Sequence, residues 1–198
     1  MIDELTVNDD CASPILPGLE DLWTEAAEIW DELENRGDFF NFVAADYEAV
    51  YHALVGLQGQ VETVLEWGSG LGVISIMAAR LGFDAYGIEI EPELIDLSSG
   101  LAEKYGGDVR FAAGSYVPND YRLNPELIDG DFRTSLDDRD AYDALDMELR
   151  DFDLVYMFPW PNELALHQDI MRQCGGRDGL FLTFDAREGL SLMRPSRG

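Results

Sequence analysis

Val64-Leu65-Glu66-Trp67-Gly68-Ser69-Gly70-Leu71-Gly72 is the stretch on which the reading of this chain turns. An apolar run, Val61 to Leu65, stops at the acidic Glu66. Three glycines follow at alternate positions, and Val73-Ile74-Ser75-Ile76-Met77-Ala78-Ala79 then continues with a helical period. The pattern predicts a strand, a tight glycine turn and a helix. Glycine suits a backbone that must take positive φ or let a ligand come close to the main chain. The helix N-terminus behind the turn offers free N–H groups to that ligand. A glycine-rich βα turn without a ligand is the plain alternative.

Outward from the turn, Gly82 is placed to cap the helix, and Ala85-Tyr86-Gly87-Ile88-Glu89-Ile90 reads as a second strand ending in an acid. Glu89 lies 19 residues after Gly70, close to the ~20 at which a nucleotide-binding βαβ unit places a carboxylate for ribose hydroxyls. Two vicinal hydroxyls can donate to the two oxygens of one carboxylate. A solvated strand end is the other reading of Glu89. The dinucleotide fingerprint G-x-G-x-x-G/A needs Gly or Ala at position 73, where this chain has Val73.

The spacing is instead E-x-G-x-G-x-G over residues 66–72. With Tyr86-Gly87-Ile88-Glu89 it resembles motif I and the following strand of the class I S-adenosylmethionine-dependent methyltransferases. The resemblance covers residues 61–160. It implies S-adenosylmethionine as cofactor, held by Glu66, Gly68, Ser69, Gly70, Gly72, Glu89 and Ile90. Past a third strand, Asp108 to Gly114, it adds Ser115 and Tyr116 at the adenine; many relatives carry an acid at the position of Ser115. It also implies that a segment before motif I covers the cofactor. Asp46, Tyr47 and Tyr51 are candidates there for the methionine moiety or an acceptor pocket, and Asp46 serves equally well as a helix N-cap.

The remaining chain alternates in the same manner. Leu22, Trp23, Ala26, Ile29, Trp30 and Leu33 recur at helical spacing, and both tryptophans are expected to pack against the core. Residues 117–139 show no period and contain Pro118, Pro125 and Gly130, as a functional or mobile loop would. Phe152 to Phe158 is a buried strand ending in Pro159-Trp160-Pro161, at the carboxyl edge where open α/β sheets bind ligands. Relatives that methylate amino groups of nucleic acid or of protein glutamine often carry [DN]-P-P-[YF] here. Phe158-Pro159-Trp160-Pro161 lacks that amide or carboxylate, so Pro159 and Trp160 are read as walls of an acceptor pocket of unassigned specificity.

Strand–helix alternation predicts an α/β fold: a Rossmann-like, mostly parallel sheet with helices on both faces. The expected organisation is a loose arm (1–16), a helical extension or lid (17–60) and the cofactor-binding domain (61–198). The C-terminal edge is shortened, with room for one short strand near Leu190 to Met193. The 198 residues carry 13 Lys+Arg against 40 Asp+Glu, net −27, and Lys104 is the lone lysine. Such a surface repels phosphate backbones, so a nucleic-acid substrate is disfavoured. The acids are spread along the chain, which favours adaptation to a saline interior over a docking face for a cationic partner. No apolar run is long enough to span a membrane, and the acidic start does not have the layout of a signal peptide, so a cytoplasmic location is expected. Cys11 and Cys174 have neither metal-ligand nor disulfide spacing, no metal cluster is visible, and no catalytic acid, base or nucleophile constellation stands out.

The function read from the chain is methyl transfer from S-adenosylmethionine to a small-molecule or unidentified acceptor. Positioning and desolvation can supply much of such a reaction. The competing reading is a non-catalytic domain of the same fold that binds the cofactor, a protein partner, or both.

Overall fold

The computed structural model of the chain describes residues 2–5, 13–36, 44–128, 133–137 and 141–195. Cys11 and the aromatic run 39–42 lie outside the described residues. Among the described residues seven strands share one sheet. They are β1 (Ile2–Leu5), β2 (Thr63–Trp67), β3 (Asp84–Glu89), β4 (Val109–Ala113), β5 (Leu154–Met157), β6 (Leu180–Asp185) and β7 (Gly189–Pro195). Their order in space is β1-β7-β6-β5-β2-β3-β4. The five strands from β6 to β4 run parallel; at one edge β7 pairs antiparallel with β6, and β1 pairs antiparallel with β7.

From β2 the chain moves through β3 to β4, then returns to the other side of β2 for β5 and β6. The order therefore reverses between β2 and β5, and the crevice at the carboxyl ends of these two strands is where such sheets bind ligands.

Among the described residues six α-helices, α1 (Leu19–Asn35), α2 (Tyr47–Leu57), α3 (Val73–Arg80), α4 (Pro92–Tyr105), α5 (Ala141–Leu145) and α6 (Leu164–Cys174), cover the two faces. Alternate residues of each strand feed different layers. Val64, Ala85, Leu154, Tyr156 and Leu182 pack with α1 to α4, while Leu65, Trp67, Ile88, Val155 and Phe181 pack with α5 and α6. α1 buries Leu22, Ala26, Trp30 and Leu33, the face its periodicity predicts. Trp23 is partly buried on the same core, and its indole N–H points at Met77 Sδ, 3.2 Å away. The ion pairs Arg36–Glu93 and Lys104–Glu25 pin α1 to α4. Exposed pairs of this kind contribute at most about 1 kcal/mol each, so α1 is held mainly by its buried apolar stripe.

One expectation is changed. The segment 1–16, read as a loose arm, supplies β1, which pairs with β7 from Ile2 opposite Pro195 to Leu5 opposite Leu192. The C-terminal segment does contribute one strand, and β1 then extends the short edge from the other end of the chain. The reason it is not apparent in the sequence is that a four-residue strand gains its order from a partner about 190 residues away, not from any local pattern.

Candidate functional site

The three glycines of the turn are each in the left-handed region, with φ of 63° at Gly68, 53° at Gly70 and 69° at Gly72. Each has a different reason to lack a side chain. A Cβ on Gly72 would lie 2.5 Å from Phe111 Cζ, and one on Gly70 would lie 3.2 Å from the Trp30 ring. A Cβ on Gly68 would meet nothing within 4 Å, so the backbone there faces open space. Ser69 locks the turn: its N–H donates to Ile88 O, and its carbonyl accepts from Gly72 N at 2.7 Å.

Two carboxyl groups lie under this turn. Glu89 Oε2 accepts from Gly70 N at 2.8 Å, and Oε1 accepts from Ile90 N and Glu91 N at 2.8 and 3.1 Å. Burial raises the Glu89 pKa, opposed by these three N–H donors. Oε2, with one donor, is the oxygen with more capacity left. Beside it Ile90 is one of three exposed large hydrophobic residues among the described residues, 39% accessible.

Glu66 is buried, and its Oε2 accepts from Ser75 N at 2.9 Å and lies 2.7 Å from Ser75 Oγ. Ser75 is in the first turn of α3, whose cap, Gly72, has no side chain to offer. Glu66 therefore does the capping from the neighbouring strand. Burial pushes its pKa up to about 8 against the Ser75 hydrogen bonds. The neutral acid also resolves a proton count: Ser75 Oγ has one hydrogen and two acceptors, Glu66 Oε2 and Tyr86 O. With Glu66 protonated, the acid donates to Ser75 and Ser75 donates to Tyr86. Across the ladder from Glu66 sits Tyr156, whose buried hydroxyl has no hydrogen-bond partner among the described residues.

The β5 side of the crevice is built from side chains. After β5, Trp160 stands 38% exposed with the Arg133 guanidinium 4.4 Å above its ring. Glu163, 5% exposed, grips residues 133 and 134. It accepts from Arg133 N at 2.7 Å, Thr134 N at 3.1 Å and Thr134 Oγ1 at 2.5 Å. Thr134 Oγ1 also meets the Tyr116 hydroxyl at 2.8 Å and His167 Nε2 at 3.2 Å, and Tyr116 meets His167 Nε2 at 3.0 Å. Trp67 stacks on Tyr116 at 5.1 Å, and Tyr142 takes the Trp67 indole N–H and donates to the Tyr116 carbonyl. His167 is fully buried, and burial alone lowers its pKa to about 3, so it is neutral.

The structure brings Glu66, Gly68, Ser69, Gly70, Gly72, Glu89 and Ile90 to one strand end, but it does not leave all of their side chains facing the crevice. The Ser69 hydroxyl turns toward Gly87. Ser115 Oγ donates to Ser135 O and accepts from Val117 N, pinning its own loop. The Tyr116 hydroxyl is committed to Thr134 and His167. Asp46 is the N-cap of α2, accepting from Ala49 N at 3.0 Å. Tyr51 is buried with its hydroxyl on Pro14 O, which places that group in the core rather than in an acceptor pocket. Tyr47 packs near Trp23, and burial and the Glu66 carboxyl raise its pKa.

Sequence reasoning missed Trp30, Arg133, Thr134, Tyr156, Glu163 and His167 as parts of the site. Only Glu163 and His167, four apart on one helical face, carried a local signal. Among the described residues no group of three or more His, Cys, Asp or Glu side chains is placed to hold a metal ion, and no helix is long and apolar enough to cross a membrane. A hollow lined by Gln58, Gly59, Glu62, Leu81 and Asp84 opens near the amino ends of β2 and β3, away from every group above.

No family model matches the chain. It is 35% identical over 79 residues to a ribosomal protein L11 methyltransferase of Enterobacter sp. (strain 638), and 37% identical over 79 residues to the same-named protein of Klebsiella pneumoniae (strain 342). Each match takes in 39% of this chain, and the chain spans about a quarter (25%) of the length of those curated relatives. Among solved structures it is similar to a methyltransferase from Geobacter sulfurreducens (TM-score 0.54, 15% identity, 92% of this chain and 100% of that one). It is also similar to an RNA methyltransferase from Salinibacter ruber in complex with S-adenosyl-L-homocysteine (TM-score 0.53, 16% identity, 79% and 95%). A putative O-methyltransferase from Klebsiella pneumoniae gives a TM-score of 0.52 at 15% identity over 87% and 66%. With its reversed strand order and glycine turn, the chain has the Rossmann-like fold of the class I S-adenosylmethionine-dependent methyltransferases.

Proposed function

We propose that the chain is an S-adenosylmethionine-dependent methyltransferase acting on a small-molecule acceptor. The observation that carries the reading is the Gly68 backbone, held at positive φ facing open space, beside a Glu89 carboxylate whose Oε2 has accepted one donor. The residues fit the cofactor. The Gly68 main chain can touch it closely, Glu89 Oε2 can accept a ribose hydroxyl, and Ile90 offers an exposed apolar surface to the adenine.

When bound, S-adenosylmethionine supplies a methyl group on a sulfonium, ready for in-line displacement. The protein's part is to fix the two reactants and keep water away. Trp160, backed by Pro159 and Pro161, gives the acceptor a flat wall at the end of β5. Net charge −27 speaks for a small acceptor over a polyanion such as RNA. The ribosomal-protein substrate in the relatives' name is not carried over, because the match spans a quarter of their length.

Calorimetry with S-adenosylmethionine and S-adenosylhomocysteine tests the reading. The wild-type chain should bind both, and Gly68→Val should weaken binding by ~100-fold or more, about 2.7 kcal/mol. A folded wild-type protein that binds neither would overturn the proposal.

A further inference from the structure

The acceptor side contains a guanidinium whose surroundings are unusual for this chain. Arg133 belongs to a protein with 40 acids and 13 Lys and Arg, yet no carboxylate of the described residues lies within ion-pair distance of it. It is not left to wander. Glu163 takes its backbone N–H at 2.7 Å and both donors of Thr134. Thr134 in turn meets Tyr116 and His167, so residues 133 and 134 are tied to the start of α6 and to the end of β4. The guanidinium carbon then lies 4.4 Å from the centre of the Trp160 ring.

A guanidinium on an aromatic face keeps in-plane N–H groups free, and their fork matches a carboxylate or a phosphate. Trp160 and, four residues on, Leu164 are two of the three exposed large hydrophobic residues among those described, 38% and 36% accessible. A fixed cation therefore adjoins an apolar wall at the strand end where the acceptor enters.

We infer that the methyl acceptor is a small, largely apolar molecule bearing one oxyanion, a carboxylate or a phosphate, which Arg133 binds while its body lies along Trp160. This rests on the methyltransferase reading. Glu163 is the positioning residue: it touches no substrate but holds the arginine's backbone over Trp160. The surrounding acidity sharpens the choice. A single oxyanion can be matched by one arginine, whereas a chain of phosphates would meet the repulsion of the whole surface.

The test uses benzoate and phenyl phosphate as anionic probes and benzyl alcohol as the neutral one. Each is titrated calorimetrically into the full chain, with and without saturating S-adenosylhomocysteine. At least one anion should bind about tenfold or more tightly than benzyl alcohol, and comparison of the two anions says which oxyanion the site takes. Arg133→Ala should erase the preference, Arg133→Lys should keep part of it, and Glu163→Gln should weaken it while S-adenosylhomocysteine affinity stays unchanged in all three. Equal binding of anion and alcohol, a preference that survives Arg133→Ala, or no anion binding up to ~50 mM would each overturn the inference. Failure of S-adenosylhomocysteine to bind wild type would count against the methyltransferase reading, and the titrations without it would still decide the role of Arg133.

Discussion

The two sides of the crevice are built by different means. On the β2–β3 side the proposed recognition is a property of backbone: three left-handed glycines and a carboxylate that holds a main-chain N–H, all within residues 66–91. On the β5 side it is a property of side chains drawn from three separate places. Tyr116 follows β4, Arg133 and Thr134 belong to a loop, and Trp160, Glu163 and His167 surround the start of α6. The electrostatics differ as well. One side holds an acid neutral by burial, Glu66, and the other holds a base neutral by burial, His167. The lesson is that a ligand shared by many proteins can be bound by main chain, while a particular acceptor needs side chains in a particular arrangement.

The largest expected effect tests whether the glycine side is as tightly packed as its geometry implies. Gly72→Ala places a Cβ 2.5 Å from Phe111 and 3.1 Å from Ser98 at positive φ. Overpacking and left-handed strain together should cost about 2–4 kcal/mol in chemical denaturation. Gly68→Ala, with open space around it, should cost only the strain, about 1–2 kcal/mol. Equal losses at the two glycines would show that they do not differ in packing.

On the opposite side, Glu163→Ala removes the acceptor of the buried Thr134 N–H and of the partly buried Arg133 N–H, while the Thr134 hydroxyl keeps Tyr116 and His167, and should cost about 2–3 kcal/mol, with cofactor affinity kept. If affinity for S-adenosylhomocysteine fell in parallel, the two sides would not be separable. The converse variant is Glu89→Ala, expected to weaken the cofactor by about 1.5–3 kcal/mol, with Glu89→Gln losing less. Because Oε1 also holds Ile90 N and Glu91 N, the melting temperature should drop too. Unchanged cofactor affinity would return Glu89 to a purely structural role.

The two neutral groups should titrate in opposite directions. Glu66 has a folded pKa of about 8, above its ordinary 4.5, so the native state holds a proton that the unfolded chain releases. Its contribution is complete at low pH and is lost as pH rises from 4.5 through 8. His167 has a folded pKa of about 3, below its ordinary 6.5. Its contribution is complete above 6.5 and is lost as pH falls through 3. Glu66→Gln should therefore flatten the alkaline limb of the stability profile, and His167→Gln the acid limb, each by about 1 kcal/mol per pH unit. Glu89 shares the direction of Glu66, so the difference between wild type and variant is the quantity to measure. A limb that keeps its slope in the variant would clear that residue of responsibility.

Smaller still is the expected response to salt. The screening length falls from ~10 Å at 0.1 M to ~3 Å at 1 M. At net charge −27 the melting temperature should climb between those chloride concentrations, equally with sodium and potassium. A flat response would remove self-repulsion as the consequence of the acidic composition.

The same contrast explains what could be read in advance. The glycine turn, Glu89 and the strand–helix alternation are contiguous signals, because each depends on backbone conformation set within a few residues. The Asp46 cap was legible as one of two readings for the same reason. The clamp of Glu163 on Thr134 spans 29 residues, and the stacking of Arg133 on Trp160 starts from a loop with no period. Neither leaves a mark until the fold supplies the distance. Ser115 and Tyr51 show the reverse. Position suggested ligand contact, but each hydroxyl found a carbonyl nearer to hand, Ser135 O and Pro14 O.

The pairing of β1 with β7 has a consequence for how the molecule comes into being. Ile2 lies opposite Pro195, so β1 is synthesised about 190 residues before its partner. Loop closure itself adds only about 0.6 kcal/mol per doubling of length, so the constraint is one of order rather than of stability. Until translation reaches residue 195, β1 has nothing to join. Once β7 has folded onto β6, its outer edge stays open to other chains until β1 arrives. Pairing of β1 covers part of the seven-residue β7 and leaves a four-residue strand outermost, and slow arrival of those four residues would show itself as aggregation of protein whose crevice is already formed.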